Sequence, residues 1–403
     1  MPRVSERFAA TPFSAIREFG ELARRRPGAL RLEIGDPDFA TASHITEAAA
    51  AAARAGMIHY APSAGLPSLR SLIVAKVDEH NGIQCGPDEV VVTAGACGGL
   101  FTTFLTLLDA GDEVLVPDPG WPNYLAILHN VGASAVPYRL DPATDFRPDI
   151  DSIASGITPR TRAIIVNSPS NPTGAVLDED ALHSILRLAE QYDLWVISDE
   201  CYEDIVFDGR HVSLGSLPSA SDRVISVFSF SKSYAMTGWR VGYVVAPTRV
   251  ARLIGKAQEP VHSCVSPVTQ KAAEAALGGP QVAISEMREA YRRRRDSAVE
   301  ALTSALVPCA RPAGAFYLMV GTPKGENSMS FAMRLLDDWD VAAVPGRAFG
   351  EQGEGWLRIA LCVADDVLAE GIHRIVNASQ GSAPTRIPTS PSRASPATGG
   401  IPP

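Results

Sequence analysis

Between residues 88 and 246 the chain alternates short, nearly continuous apolar runs with longer stretches of helical periodicity. The runs fall at 89–93, 112–116, 134–138, 162–167, 194–198, 223–229 and 241–246, and helical patterns occupy 97–108, 121–130 and 178–192. A strand that is apolar on both faces needs cover on both. Parallel strands also need connections long enough to hold a helix, so this alternation implies a largely parallel sheet with helices on either side. The expected fold class is α/β, with a large unit built on a mostly parallel seven-stranded sheet. Ligands of such sheets bind beyond the carboxyl ends of the strands. Asn171, Asp199 and Lys232 all lie at or past such ends.

That unit does not use up 403 residues. Ahead of it, 13–26 reads as a short helix stopped by Pro27-Gly28, Leu32 to Phe39 is extended, and 46–55 is an alanine-rich helix closed by Gly56. After about residue 250 the pattern turns to helix at 266–277 and 280–306, strands near 315–320 and 356–361, and a last helix at 365–376. The expected division is an arm and part of a smaller α+β domain at 1–44, the large domain at 45–260, the smaller domain at 261–378, and a tail at 379–403. The tail is Ser, Pro, Thr, Ala and Gly with few bulky apolar groups, a composition expected to be disordered.

A net charge of −9 argues against nucleic acid as a partner, and the basic run Arg292–Arg295 sits between acidic residues in a helical pattern. Six scattered cysteines without a C-x-x-C pair read as free thiols of a reducing compartment. The amino-terminal residues show no apolar core of a secretory signal, and no run reaches the ~20 apolar residues of a membrane helix. The expected location is cytoplasmic.

The cations are uneven. Only five of the 36 basic residues are lysine: Lys76, Lys232, Lys256, Lys271 and Lys324. A lysine amine can condense with an aldehyde once its surroundings lower its pKa, whereas a guanidinium cannot. Lys232 stands just past the apolar run 224–228, inside S-F-S-K-S-Y-A-M-T-G-W-R-V-G at 229–242.

This stretch resembles the lysine signature of the class I and II aminotransferases, which bind pyridoxal phosphate on an aspartate aminotransferase-like fold. Three further blocks, Asn171-Pro-Thr-Gly174, Asp199-Glu-Cys-Tyr202 and Trp356-Leu-Arg358, stand at the spacing of that family. The resemblance covers residues 30 to about 376.

It implies a role for each of several residues. Lys232 is the catalytic amine. Gly95, Ala96 and Cys97 open a strand-to-helix turn that would receive the cofactor phosphate on backbone amides. Many relatives carry a hydroxyl where this chain has Ala96 or Cys97. Ser229, Ser231 and Arg240 would supply hydroxyls and positive charge, and Tyr60 would reach the phosphate from a neighbouring subunit, making the active unit a homodimer with shared sites. Asp199 would hold the proton on the ring nitrogen, Tyr202 and Asn171 would bond the ring oxygen, and Trp121 would stack on the ring. Arg358, with Asn171 and the amide of Gly35, would hold the α-carboxylate of the substrate.

The implied activity is ping-pong transfer of an amino group from an L-amino acid to a 2-oxo acid, aspartate-type or broad-range. Two other readings remain at this stage. One is a lyase or cyclising enzyme on the same fold, because motifs do not encode the geometry that partitions the reaction. The other is a non-catalytic regulatory module.

Overall fold

The computed structural model describes residues 2–11 and 14–383. The tail expected to be disordered lies, from residue 384 onward, outside the described residues.

The larger sheet has eight strands in the order Val90–Thr93, Gly242–Val245, Val224–Ser229, Trp195–Asp199, Thr161–Asn167, Glu113–Asp118, Ser134–Asp141 and Arg147–Pro148. The five from Val224–Ser229 to Ser134–Asp141 pair in parallel. Gly242–Val245 is antiparallel to both its neighbours. Seven strands were expected. The eighth, Arg147–Pro148, is a two-residue edge too short to give a period, paired back on Leu140 and Asp141.

Both faces are covered, as continuous apolar strands require. Val114, Val116, Ile165, Ile197 and Val227 belong to one core cluster with Leu100, Phe104 and Ile254 from the helices Gly95–Leu107 and Thr248–His262. Leu115, Ile164, Val166 and Val196 belong to another, with Leu182, Ile185 and Ala189 of Glu179–Gln191.

The smaller unit is a four-stranded antiparallel sheet in the order Cys309–Ala310, Tyr317–Gly321, Trp356–Ala360 and Val344–Pro345. The helices Val282–Ser304, Ser328–Trp339 and Asp365–Ser379 share its core. The amino-terminal segment joins it through Leu30–Arg31, which pairs in parallel with Val341–Ala342, and through buried Phe19 and Leu32.

Beyond one- and two-turn pieces, three helices were not expected. Pro67–Asn81 buries Leu69, Ile73 and Val77 at a four-residue spacing and ends on Gly82 at φ 70°. The other two are Thr248–His262, which holds Pro260 within its last turn, and Ser328–Trp339. The helix Pro267–Gly278, expected in the smaller domain, packs with the larger sheet. Its Ala272, Ala273 and Ala276 lie with Ile45, Leu69, Val92 and Tyr243 in one cluster.

Among the described residues no helix is long and apolar enough to cross a membrane.

Candidate active site

Register places the site. Asn167 and Asp199 sit opposite each other at the carboxyl ends of adjacent parallel strands, and Ser229 ends the next strand along. A one-turn helix, Phe230–Ser233, follows at once. The Ser229 hydroxyl accepts the Ser231 amide at its start, and Lys232 projects from it.

A cavity of about 260 Å³ opens there. It brings together Gly35, Ala96, Cys97, Trp121, Asn171, Asp199, Tyr202, Ser229, Ser231, Lys232, Arg240 and Arg358, twelve of the fourteen residues expected from sequence. Gly95 stands behind the Arg240 guanidinium, where a methyl group on it would lie 2.5 Å from an Arg240 nitrogen. Tyr60 is not in the cavity of its own chain and is 89 % exposed.

Lys232 Nζ donates to the Gly35 carbonyl at 2.7 Å and lies 5.6 Å from the centre of the Phe316 ring. Burial holds this amine below the ordinary lysine range. Asp199 is 4 % exposed. Its Oδ2 accepts the Tyr124 hydroxyl at 2.6 Å, its Oδ1 accepts the Cys201 amide at 3.3 Å, and its backbone carbonyl accepts Asn167 Nδ2 at 3.0 Å. Burial pushes its pKa up, against the Tyr124 hydroxyl, which favours the ionised form. No cation pairs with it among the described residues.

The helix Gly95–Leu107 starts without a side-chain cap, with Gly95 at φ 69°. Its first amides are therefore free for an anion, at the positive end of the helix. Arg240, itself at φ 54°, donates to the Thr237 carbonyl at 2.7 Å and has no carboxylate partner among the described residues.

Arg358 is 2 % exposed and sits on the strand Trp356–Ala360. It donates to Asn171 Oδ1 at 3.1 Å and to the Glu33 carbonyl at 2.6 Å, while its Nε has no partner. The guanidinium lies 4.3 Å from the Tyr317 ring centre and 4.8 Å from that of Phe349. Burial holds its pKa below the ordinary guanidinium value, yet it stays a cation without a counter-charge. The Tyr202 hydroxyl meets that of Tyr317 at 3.0 Å, and burial pushes Tyr317 up to about 12.

Sequence reasoning missed Tyr124, Asn167 and Tyr317. Tyr124 is three residues past Trp121 on the first turn of Asn123–Val131, so helical spacing could have flagged it. Tyr317 reaches the cavity through its pairing with Ala360, which nothing local encodes.

The arrangement offers a primary amine, a buried acid, an anion cradle and a buried guanidinium around one small cavity. A family model described as "Aminotransferase class I and II" matches residues 27–375. An aspartate/prephenate aminotransferase of Thermus thermophilus is 37 % identical over 88 % of this chain and 92 % of its own. An arginine–pyruvate transaminase of Pseudomonas aeruginosa is 41 % identical over 86 % of this chain and 88 % of its own. The solved structure of Thermus thermophilus aspartate aminotransferase with maleate superposes with a TM-score of 0.90 at 36 % identity, covering 94 % of this chain and 100 % of that one.

Proposed function

Since this chain belongs to the class I and II aminotransferase family and is a pyridoxal phosphate-dependent transaminase, we propose how its residues divide the work and which substrates it takes. One observation carries the reading: Asp199, Arg240 and Arg358 converge on the Lys232 cavity, and none has a counter-ion among the described residues.

The cavity fits the cofactor. A buried carboxylate with only neutral partners is costly, and a protonated ring nitrogen would supply the missing charge. The uncapped helix start at Gly95, with Arg240 against it, suits a phosphate dianion, and Ser229 and Ser231 line the same cavity. Trp121 is the flat surface against which the ring would rest. Bound pyridoxal phosphate supplies an aldehyde that takes up the donor amine and a ring that draws electrons from the α-carbon.

The remaining chemistry falls to the chain. Lys232 Nζ would hold the aldehyde carbon and, once the donor amine has displaced it, would serve as base and then acid for the α-proton. Asp199 would keep the ring nitrogen protonated. Tyr202 and Asn171 would bond the ring oxygen. Arg358, with Asn171 and the Gly35 amide, holds the α-carboxylate through a two-pronged contact.

We further propose ping-pong turnover between an aspartate-type or broad range of L-amino acids and a 2-oxo acid. The named relatives support that range, since they act on aspartate, prephenate or arginine and pyruvate. The exposed Tyr60 supports a homodimer, in which each ring is available to the other copy's phosphate cradle. Six free cysteines support a reducing, cytoplasmic setting. The test is a panel of twenty amino acids, each with 2-oxoglutarate or pyruvate. Formation of glutamate or alanine is expected, and release of ammonia without either would contradict the reading.

A further inference from the structure

Arg358 sits on the return strand of a hairpin. Val344–Pro345 pairs antiparallel with it, Val344 facing Arg358 and Pro345 facing Leu357, and residues 346–355 form the connecting loop. The tip of that loop is held by the other unit of the molecule. Asp118, the last residue of the strand Glu113–Asp118, is 7 % exposed, and its carboxylate accepts the amides of Glu351 at 3.1 Å and Gln352 at 3.0 Å. Beside it the Gly120 amide donates to the Phe349 carbonyl at 2.8 Å.

The fit at the tip leaves no slack. Gly350 has φ 136°, and a methyl group there would lie 2.0 Å from Asp118 Oδ1. Burial pushes the Asp118 pKa up and the two amides oppose that rise; no salt bridge reaches this carboxylate among the described residues. The same loop carries Phe349, 3 % exposed, whose ring packs 4.8 Å from the Arg358 guanidinium.

We infer that Asp118 is a positioning residue for the amino-acid substrate: it ties the loop 346–353 to the rim of the larger sheet and thereby fixes Phe349 against the Arg358 guanidinium that lines the cavity. This rests on the reading of Arg358 as the α-carboxylate holder. Two bonds from backbone amides to one buried carboxylate are strong and directional. A sub-ångström loosening of a group that orients substrate is enough to be seen in kinetics.

The experiment compares holoenzymes carrying Asp118→Ala, Asp118→Asn, Arg358→Gln and the double variant Asp118→Ala/Arg358→Gln. The donor is the best amino acid from the panel above. Asp118→Ala is expected to raise the donor KM on the order of tenfold, with the pyridoxal phosphate dissociation constant within about twofold of the parent. Asp118→Asn keeps the size and one accepting oxygen, so it should fall between, and it serves if the alanine variant does not fold. Added to Arg358→Gln, Asp118→Ala should change KM by less than about twofold, because it acts through that guanidinium. A donor KM unmoved in both Asp118 variants, a parallel loss of cofactor affinity, or an undiminished effect in the double variant would overturn the inference. A donor KM unmoved by Arg358→Gln would instead bring down the underlying reading.

Discussion

Two sets of buried charges lie a few residues apart and are treated in opposite ways. In the polar cluster behind the site, Glu203 is 7 % exposed and meets Lys76 at 2.5 Å and Asn81 at 2.6 Å. Glu200, 1 % exposed, meets His211 at 2.8 Å and Ser213 at 2.5 Å. In the cavity, Asp199 and Arg358 are as deeply buried but meet only hydroxyl, amide and carbonyl groups. A buried charge without a counter-ion is unfavourable and persists where something else selects it. Carboxylates given partners stand in the turn Glu200–Asp204; the unpaired charges are those the proposed function assigns to cofactor and substrate.

The sharpest way to break this contrast is Lys232→Ala. Turnover is expected to fall by roughly 10⁴-fold with the fold intact, checked by steady-state rates and circular dichroism. Substantial residual turnover would mean that the amine is not the proton carrier.

Next in size is Lys76→Met, which strands Glu203 without its cation. A loss of about 3 kcal/mol of stability is expected, measured by denaturant unfolding of the cofactor-free protein. Arg358→Gln should do the reverse. It removes a charge that has no counter-ion, so the stability of the cofactor-free protein should move by less than about 1 kcal/mol, while donor kcat/KM falls on the order of 10²-fold. If both substitutions destabilise alike, the distinction between the two sets is wrong.

The smallest effect is Tyr124→Phe. Burial raises the Asp199 pKa and the Tyr124 hydroxyl opposes that rise, so the variant should raise it further. With a native pKa above the unfolded value, the native state holds a proton the unfolded chain has released, and stability falls as pH rises through that window. Losing the hydroxyl extends the window upward. The cost at neutral pH is expected to be about 1 kcal/mol, read from urea midpoints of the cofactor-free proteins across a pH series. A flat difference between variant and parent would show that Asp199 is not the group responsible.

Much of this was legible before any coordinates. The buried parallel strands are continuous apolar runs, and polar residues placed at their ends had to meet at one rim, so the positions of Asn171, Asp199 and Lys232 agreed with the motif resemblance that singled them out. The unread parts depend on pairing across long distances. Tyr317 enters the cavity because it stands opposite Ala360, and Asp118 matters because it meets a loop 233 residues further on. The helices Pro67–Asn81 and Thr248–His262 were also not read from the sequence. Proline is tolerated in the first turn of the one, and burial of Val250, Ala251 and Ile254 holds the other together. The helix Pro267–Gly278 was placed with the wrong neighbours because an alanine-rich face fits either unit.

The central claim, that one lysine of five meets the cofactor at the rim of the large sheet, is open to a single chemical measurement. Purified holoenzyme is reduced with borohydride, digested and mapped by mass spectrometry. The expected result is a phosphopyridoxyl mass on the peptide containing Lys232 and on none containing Lys76, Lys256, Lys271 or Lys324; a label on any of those four, or no label at all, would contradict it.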